Sequence, residues 1–521
     1  MSVKDIFKNF GHGVTSVFKG KANNDNLYKL DGKVPLLKAI PFGIQHVLAM
    51  FAANITPIII VFAACGLLGT DFAVSSMLGA LFMAGIGTIF QLFLGARLPI
   101  VIGTSFTFVP IFITIGLSSG GGENAFYTIM GSIIIGGLIA SIFSIFYKWR
   151  GRIIKPIVPA VVVLGIGLSL LGSGATQFFG GTYVINSILE TGATPNGVPY
   201  FLYILVASIT LIVAILWSLL VKGVWKNINI VVAIAVGFGV ACLIPGMVDF
   251  SGLQIDTNNL IGPSGIFDFP HLLDFTKLRF EVVPCILTSV CFIVAIVEAI
   301  GDTTALSIAG LGRSPTNREL TGTLISDGLN SSLGACFGAL PLTTFSQNVG
   351  IVAQTKVVNR FTIFIGAVFL IVTSFFPPIA NFIYAIPDSV IGGTMVILFG
   401  SIAVIGMKSI SEIGWTDKNI MIVSISACVG FGLTIAGISV DGGAVVPITN
   451  LFSKLGVSWL GDLLSNNVLN MFVLSIILSW VLPEDMNIKL FHKLRKKEEN
   501  KDENWCTWLL FLKFKAYFRQ I

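Results

Sequence analysis

The chain has 521 residues, of which 54% are hydrophobic and only 11% charged. Soluble domains carry about 25% charged residues, so a soluble globule of this size is excluded. A net charge of +6 invites comparison with nucleic-acid binders, but the basic residues form no single patch and recur in every second loop, which is the signature of membrane topology.

Residues 1–38 are polar and dotted with Lys4, Lys8, Lys19, Lys21, Lys29 and Lys33. They lack a short apolar core before a small-residue cleavage site, so no cleavable signal peptide is expected and the segment reads as cytoplasmic. Apolar runs then recur near 40–64, 72–96, 99–118, 126–147, 153–172, 200–221, 228–246, 281–301, 322–340, 346–356, 360–379, 384–406, 419–437 and 467–482. Several exceed the ~20 residues needed to span a bilayer, which predicts an all-α polytopic membrane protein with about 14 segments. The membrane domain covers 39–483, and 484–521 form a second cytoplasmic tail. Trp505 to Ile521 mixes aromatic and basic residues in a way that suits a membrane surface. Six of the seven cysteines (Cys65, Cys242, Cys285, Cys291, Cys336 and Cys428) fall in apolar segments without paired spacing. They read as small hydrophobes rather than a disulfide framework or zinc site.

Lys and Arg set the orientation. Arg97, then Lys148, Arg150, Arg152 and Lys155, then Lys222 and Lys226 occupy alternate loops, followed by Arg313 and Arg318, Lys356 and Arg360, Lys408 and Lys418, and Lys493 to Lys497. The stretch from Gly172 to Tyr200 has neither residue, and only Lys277, Arg279 and Lys454 break the alternation. Both termini are therefore expected in the cytoplasm of a cell (plasma or inner) membrane, as an even number of spans requires.

Two places echo each other. Gly103-Thr104-Ser105-Phe106-Thr107 opens the third span between Pro99 and Pro110, and Leu342-Thr343-Thr344-Phe345-Ser346 follows Pro341 before the tenth. Val158-Pro159 at the fifth span is answered by Ile386-Pro387 at the twelfth. Seven spans is an odd number, so a second half at about 281–483 would be inverted relative to a first at about 39–247. Broken helices at matching positions of inverted repeats mark a transporter's binding site near the midplane. Matches this short also arise by chance.

Ionisable groups inside the spans are few: Glu298 and Asp302 in the eighth and Asp327 in the ninth. Intramembrane carboxyls are costly and commonly functional. Glu298 and Asp302 are one helical turn apart and face the same way. Neither span contains Lys or Arg, so two carboxyls crowded in a poorly solvated site predict a proton-binding centre. The bland alternative is a pair held by hydroxyls and backbone amides. In Ser346-Gln347-Asn348, Gln347 could read the edge of a base with a paired donor and acceptor, while Asn348 could cap the helix or touch the ligand. Phe106, beside the polar break, could stack on a planar ring or merely pack. His46, next to Gln45, could be a packing histidine or part of a proton network. Gly165-Ile166-Gly167 lies inside a membrane helix with no βαβ context, so it reads as helix packing. Asn54-Ile55-Thr56 matches a glycosylation sequon that the bilayer would bury. No nucleophile–base or metal cluster argues for an enzyme.

These residues resemble the nucleobase–ascorbate transporter family, also called nucleobase:cation symporter family 2. The family pattern Gln/Glu/Pro-Asn-x-Gly-x4-Thr-Arg/Lys/Gly is matched by Gln347-Asn348-Val349-Gly350 and Thr355-Lys356. Glu298 and Asp302, Gln45-His46, Thr104-Ser105-Phe106 and Asp327-Gly328 match further motifs in order along nearly the whole chain. The resemblance implies a 7+7 inverted repeat with short β-strands in broken spans 3 and 10. It also implies a core domain (spans 1–4 and 8–11) that moves against a gate domain (spans 5–7 and 12–14), usually in a homodimer. It further implies that Glu298 and Gln347 bind the base, with Phe106, Ser105 and Ser346 in contact, that Asp302 and Asp327 hold the network, and that His46 and Asn348 tune it. Gln347 together with Asp302 looks like the xanthine and urate branch, because uracil-type members carry Glu and His there; Thr107 and Val349 stand where members vary. The expectation is a proton-coupled purine-base symporter working by alternating access, with the proton in place of any cofactor and no metal. A pyrimidine permease and an anion transporter of the same plan are the alternatives.

Overall fold

The computed structural model describes residues 15–18, 21–67, 70–145, 155–222, 226, 228–248, 250, 262, 265–435, 437–439, 445–447, 451–452, 455, 460–461, 464 and 466–483. The C-terminal tail and the Lys493 to Lys497 cluster lie outside them. In chain order the first half contains α1 (Leu36–Ala64), α2 (Asp71–Phe93), β1 (Ile102–Thr104), α3 (Val109–Ser118), α4 (Gly122–Ile145), α5 (Ile157–Phe178), α6 (Gly181–Thr191), α7 (Tyr200–Leu220) and α8 (Asn229–Cys242). The second half contains α9 (Val282–Leu311), α10 (Asn317–Ala335), β2 (Leu342–Thr344), α11 (Ser346–Thr355), α12 (Arg360–Thr373), α13 (Pro377–Tyr384), α14 (Asp388–Ile413), α15 (Asp417–Ile435), β3 (Gly437–Ser439), β4 (Val445–Pro447) and α16 (Asn467–Val481). Each of the expected spans has its counterpart among these elements.

Among the described residues, seven helices are long and apolar enough to cross a bilayer: α1, α2 from Phe72, α4, α5, α7, α9 and α14. Helix α10 fails that test because it is polar, yet its Thr323, Ser326, Asp327, Asn330, Ser331 and Ser332 are all buried. Its neighbours act as its solvent, and a capping box between Thr316 and Glu319 starts it. Large apolar side chains instead crowd the outside, as with Leu216, Leu219 and Leu220 of α7. Only 28% of the apolar window of α7 is buried, against 71% for α1, so α7 lies at the outside and α1 is packed within the protein.

Packing divides the helices into two groups. Helix α4 packs on α9 and α10, and α12 packs on α1 and α2; these form the core. Helix α14 packs on α5 and α7, α7 on α8, and α15 and α5 on α16; these form the gate. Glycines allow the closest approaches. A Cβ on Gly328 of α10 would lie 2.6 Å from the carbonyl oxygen of Gly137 in α4. In the gate, a Cβ on Gly167 of α5 would lie 2.2 Å from the backbone nitrogen of Ala403 in α14.

The two halves are related by an inverted repeat, seen most directly where β1 pairs antiparallel with β2 about Gly103↔Thr343. The hydrogen bonds around this pair come in matched sets. The Ser105 amide donates to the Pro341 carbonyl at 2.9 Å, and the Phe345 amide to the Val101 carbonyl at 3.1 Å. The Ile102 amide donates to Thr88 Oγ1 of α2 at 3.1 Å, and the Leu342 amide to Ser331 Oγ of α10 at 2.9 Å.

Three features extend the sequence reading. Helix α6 is a short addition outside the expected spans, α13 bridges the expected spans 360–379 and 384–406, and β3 pairs with β4 beyond the two broken spans. The segment before α1 is also folded onto the core. Its 3-10 turn at Asn24–Tyr28 meets the linker between α11 and α12, where the buried Asn359 amide lies 2.9, 3.1 and 3.0 Å from the carbonyls of Asn26, Lys29 and Gly32. The buried guanidinium of Arg360 pairs with Asp31 and donates to the Leu92 carbonyl at 2.8 Å. On the segment before α9, Lys277 Nζ pairs with Glu123 Oε1 of α4 at 2.8 Å, with both side chains about half exposed.

Candidate substrate-binding site

Each broken span swaps a membrane helix for a strand followed by a new helix start. In the third, β1 gives way to a 3-10 turn at Phe106–Phe108, which the Ser105 hydroxyl caps by accepting from the Thr107 amide at 3.3 Å. Pro110 then stands at the start of α3, where its missing N–H costs nothing. In the tenth, α11 begins at Ser346 directly after Phe345, and no side chain caps it. Its first amides therefore point inward with the positive end of the helix dipole.

Helix α9 lies against both breaks. Thr107 Oγ1 donates to Glu298 Oε2 at 2.7 Å. One turn along, Asp302 accepts from Thr344 Oγ1 at 2.9 Å and from Ser346 Oγ at 2.8 Å. Glu298 thus faces the third span and Asp302 the tenth. Among the described residues neither carboxylate has a cationic partner. Gln347, next to Ser346, is half-buried, and its amide makes no hydrogen bond among the described residues. Phe106 is buried and lies edge-to-face with Phe399 of α14, ring centroids 5.5 Å apart, so it touches the gate from the core.

Asp327 is set behind this group. Gln91 Nε2 of α2 donates to its Oδ1 at 2.7 Å, and Thr343 Oγ1 of β2 reaches its Oδ2 at 3.4 Å. His46 and Asn348 pair with each other: Asn348 Nδ2 lies 3.0 Å from His46 Nδ1 and donates to the His46 carbonyl at 3.1 Å. With Nδ1 accepting, the ring proton sits on Nε2. Asn348 is the third residue of α11 and its side chain reaches α1 instead of capping its own helix, so the capping alternative falls.

The structure thus brings Glu298, Asp302, Phe106, Ser346 and Gln347 into one group, ties His46 to Asn348 beside it, and sets Asp327 one layer back. Ser105 is engaged in its own turn. Sequence reasoning passed over Gln91, read Asn54 only as a sequon buried by the bilayer and Thr344 only as part of a Thr-rich break, and took Thr107 only as a position where members vary. All are single polar residues in apolar or Thr-rich surroundings, a signal the carboxylates carried more loudly.

Comparison with known proteins identifies the family. Residues 37–439 match a family model described as a permease family. A putative purine permease of Clostridium perfringens, CPE0397, is 30% identical over 421 residues, which is 78% of this chain and 85% of that protein. The xanthine permease XanQ of Escherichia coli K12 is 31% identical over 428 residues, 79% of this chain and 87% of that one. Among solved structures, the murine Solute Carrier 26 family member A9 anion transporter in its inward-facing state superposes with a TM-score of 0.58. That match has 12% identity over 92% of this chain and 72% of that one, and so shows the shared fold alone. The chain is a multi-pass integral membrane protein and belongs to the nucleobase–ascorbate transporter family of permeases.

Proposed function

We propose that this chain is a symporter that imports a purine base, xanthine or urate, with a proton, by alternating access. The observation that carries the reading is that both broken spans reach α9, Thr107 at Glu298 and Ser346 at Asp302, with an unbonded, half-buried Gln347 amide beside Ser346. An amide offers a donor and an acceptor side by side, and a carboxylate accepts from ring N–H groups, so together they match the edge of an oxidised purine. The ring of Phe106 supplies a face for stacking. Relatives named as a xanthine permease and a putative purine permease support the same class.

Proton coupling is supported by the partners of Glu298 and Asp302, which are hydroxyls that neutralise no charge. A proton lowers the cost of carrying such a pair through an occluded state. Alternating access is supported by packing that is extensive within core and gate, with Phe106 meeting Phe399 between them. The Lys and Arg pattern supports cytoplasmic termini, and a homodimer is the family expectation. The anion-carrier alternative shares only the fold, and two carboxylates at the site oppose it.

The test is uptake of labelled xanthine by cells expressing the chain, with unlabelled urate, uracil, guanine and ascorbate as competitors, with and without a protonophore. Uptake blocked by urate but not uracil, and collapsed by the protonophore, is expected. Competition by uracil moves the chain to the pyrimidine branch, uptake indifferent to the protonophore removes proton coupling, and no uptake of any base overturns the reading.

A further inference from the structure

Asp302 has a neutral twin. In the second half, Asp302 of α9 accepts from the hydroxyl of Thr344, the last residue of β2, at 2.9 Å. In the first half, Asn54 of α1 accepts through Oδ1 from the hydroxyl of Thr104, the last residue of β1, at 3.0 Å. The two sit at matching depth, since α1 runs on from Asn54 to Ala64 and α9 from Asp302 to Leu311. Asn54 Oδ1 also accepts from the Thr104 amide, at 2.7 Å.

Asn54 is fully buried and its Nδ2 has no partner among the described residues. A buried donor left unbonded is destabilising, so the side chain is not explained by packing alone. The strand makes room for it: a Cβ on Gly103 would lie 2.7 Å from Asn54 Oδ1. What the oxygen holds is the junction between β1 and the Ser105–Phe106 turn. A strand this short has few bonds of its own, and its hold on α1 fixes where Phe106 and Thr107 stand relative to Glu298.

We infer that Asn54 is a positioning residue of the transport site, anchoring β1 through Thr104 so that Phe106 and Thr107 are presented to the substrate, as the uncharged counterpart of Asp302. The role rests on the purine-base reading for its substrate but not for its geometry. It assigns function to a polar residue that touches neither Glu298 nor Gln347, and it sets an amide where the other half has a carboxylate.

The experiment compares KM and maximal rate of labelled xanthine uptake, with membrane abundance measured, for the wild type, Asn54→Ala, Asn54→Asp, Thr104→Val and the double variant Asn54→Ala/Thr104→Val. Asn54→Ala removes both bonds and is expected to raise KM about tenfold with the maximal rate nearly kept, the size of one net hydrogen bond. Thr104→Val, which keeps the amide bond, is expected to raise it about threefold, and the double variant to match Asn54→Ala, since both act on one anchor. Asn54→Asp keeps the acceptor and is expected to restore KM. Wild-type KM in Asn54→Ala, multiplied effects in the double variant, or no recovery in Asn54→Asp overturns the inference. Should Asn54→Ala fail to reach the membrane, an unchanged KM in Thr104→Val overturns it by itself. Hydrogen exchange on the purified proteins runs alongside: Asn54→Ala or Thr104→Val is expected to speed exchange in residues 102–106 and leave 342–346 unchanged. Absence of uptake by the wild type defeats the purine reading, and exchange then decides the anchor: equal protection of 102–106 in all variants overturns it.

Discussion

The two broken spans have the same scaffold and different chemistry. Both strands are tied at the first residue to a hydroxyl, Thr88 or Ser331, and at the last to a side-chain oxygen, Asn54 or Asp302. Only the second strand has charged anchors, with Asp302 beside it and Asp327 behind it, and the carboxylate that meets the first break, Glu298, also comes from α9 of the second half. Backbone amides must be satisfied inside a membrane whichever half they belong to, so the scaffold repeats. Charge is expensive there and is confined to where it is used. The segments before α1 and α9 repeat the lesson with the signs exchanged. A buried Arg360 of α12 pairs with a part-exposed Asp31, while Glu123 of α4 and Lys277 pair with both side chains exposed.

The most severe break is expected at the charged half. Glu298→Gln should keep the protein in the membrane and lower uptake by about a hundredfold or more, because a hydrogen bond to a charged group is lost from substrate binding. Normal uptake by this variant would remove Glu298 from the site. Next comes the inner ion pair. Arg360→Ala leaves Asp31 and the Leu92 carbonyl without their donor and should lower the stability of the purified protein by about 2 kcal/mol, discounted because Asp31 is nearly half exposed. A thermal midpoint equal to wild type would show that the docked N-terminal segment contributes nothing.

Gln347→Ala should raise KM for the transported base about tenfold without changing membrane abundance, as expected for one lost hydrogen-bonding group. An unchanged KM would put the free amide outside the site. The smallest effect belongs to the outer ion pair. Lys277→Ala should leave the thermal midpoint within error of wild type, since exposed pairs are screened and contribute little. A loss as large as that of Arg360→Ala would erase the distinction between the two pairs.

Much of this could be read before the fold was known. A window of apolar residues long enough to cross a bilayer needs no partner to be recognised, so the spans were legible. Glu298, Asp302 and Asp327 stood out because charge in apolar sequence has few innocent explanations. Asn54 did not: its partner Thr104 is 50 positions away, and as a sequon in the bilayer it looked inert. Gln91 was silent for the same reason, being 236 positions from Asp327. The docking of residues 21–34 was also hidden, because carbonyls become ligands for Asn359 only after α11 and α12 set the linker in place.

The sequence by itself determined that the chain lives in a membrane, where its helices run, which carboxyls lie inside, and which family its motifs resemble. Those are properties of local composition and spacing, and the bilayer enforces them one segment at a time. Only the tertiary structure decided which hydroxyl meets which carboxylate, that Asn348 reaches His46 and not its own helix end, and that Asn54 and Asp302 are twins. Each of these joins residues on different helices, and such bonds take their geometry from the packing of the helices that carry them.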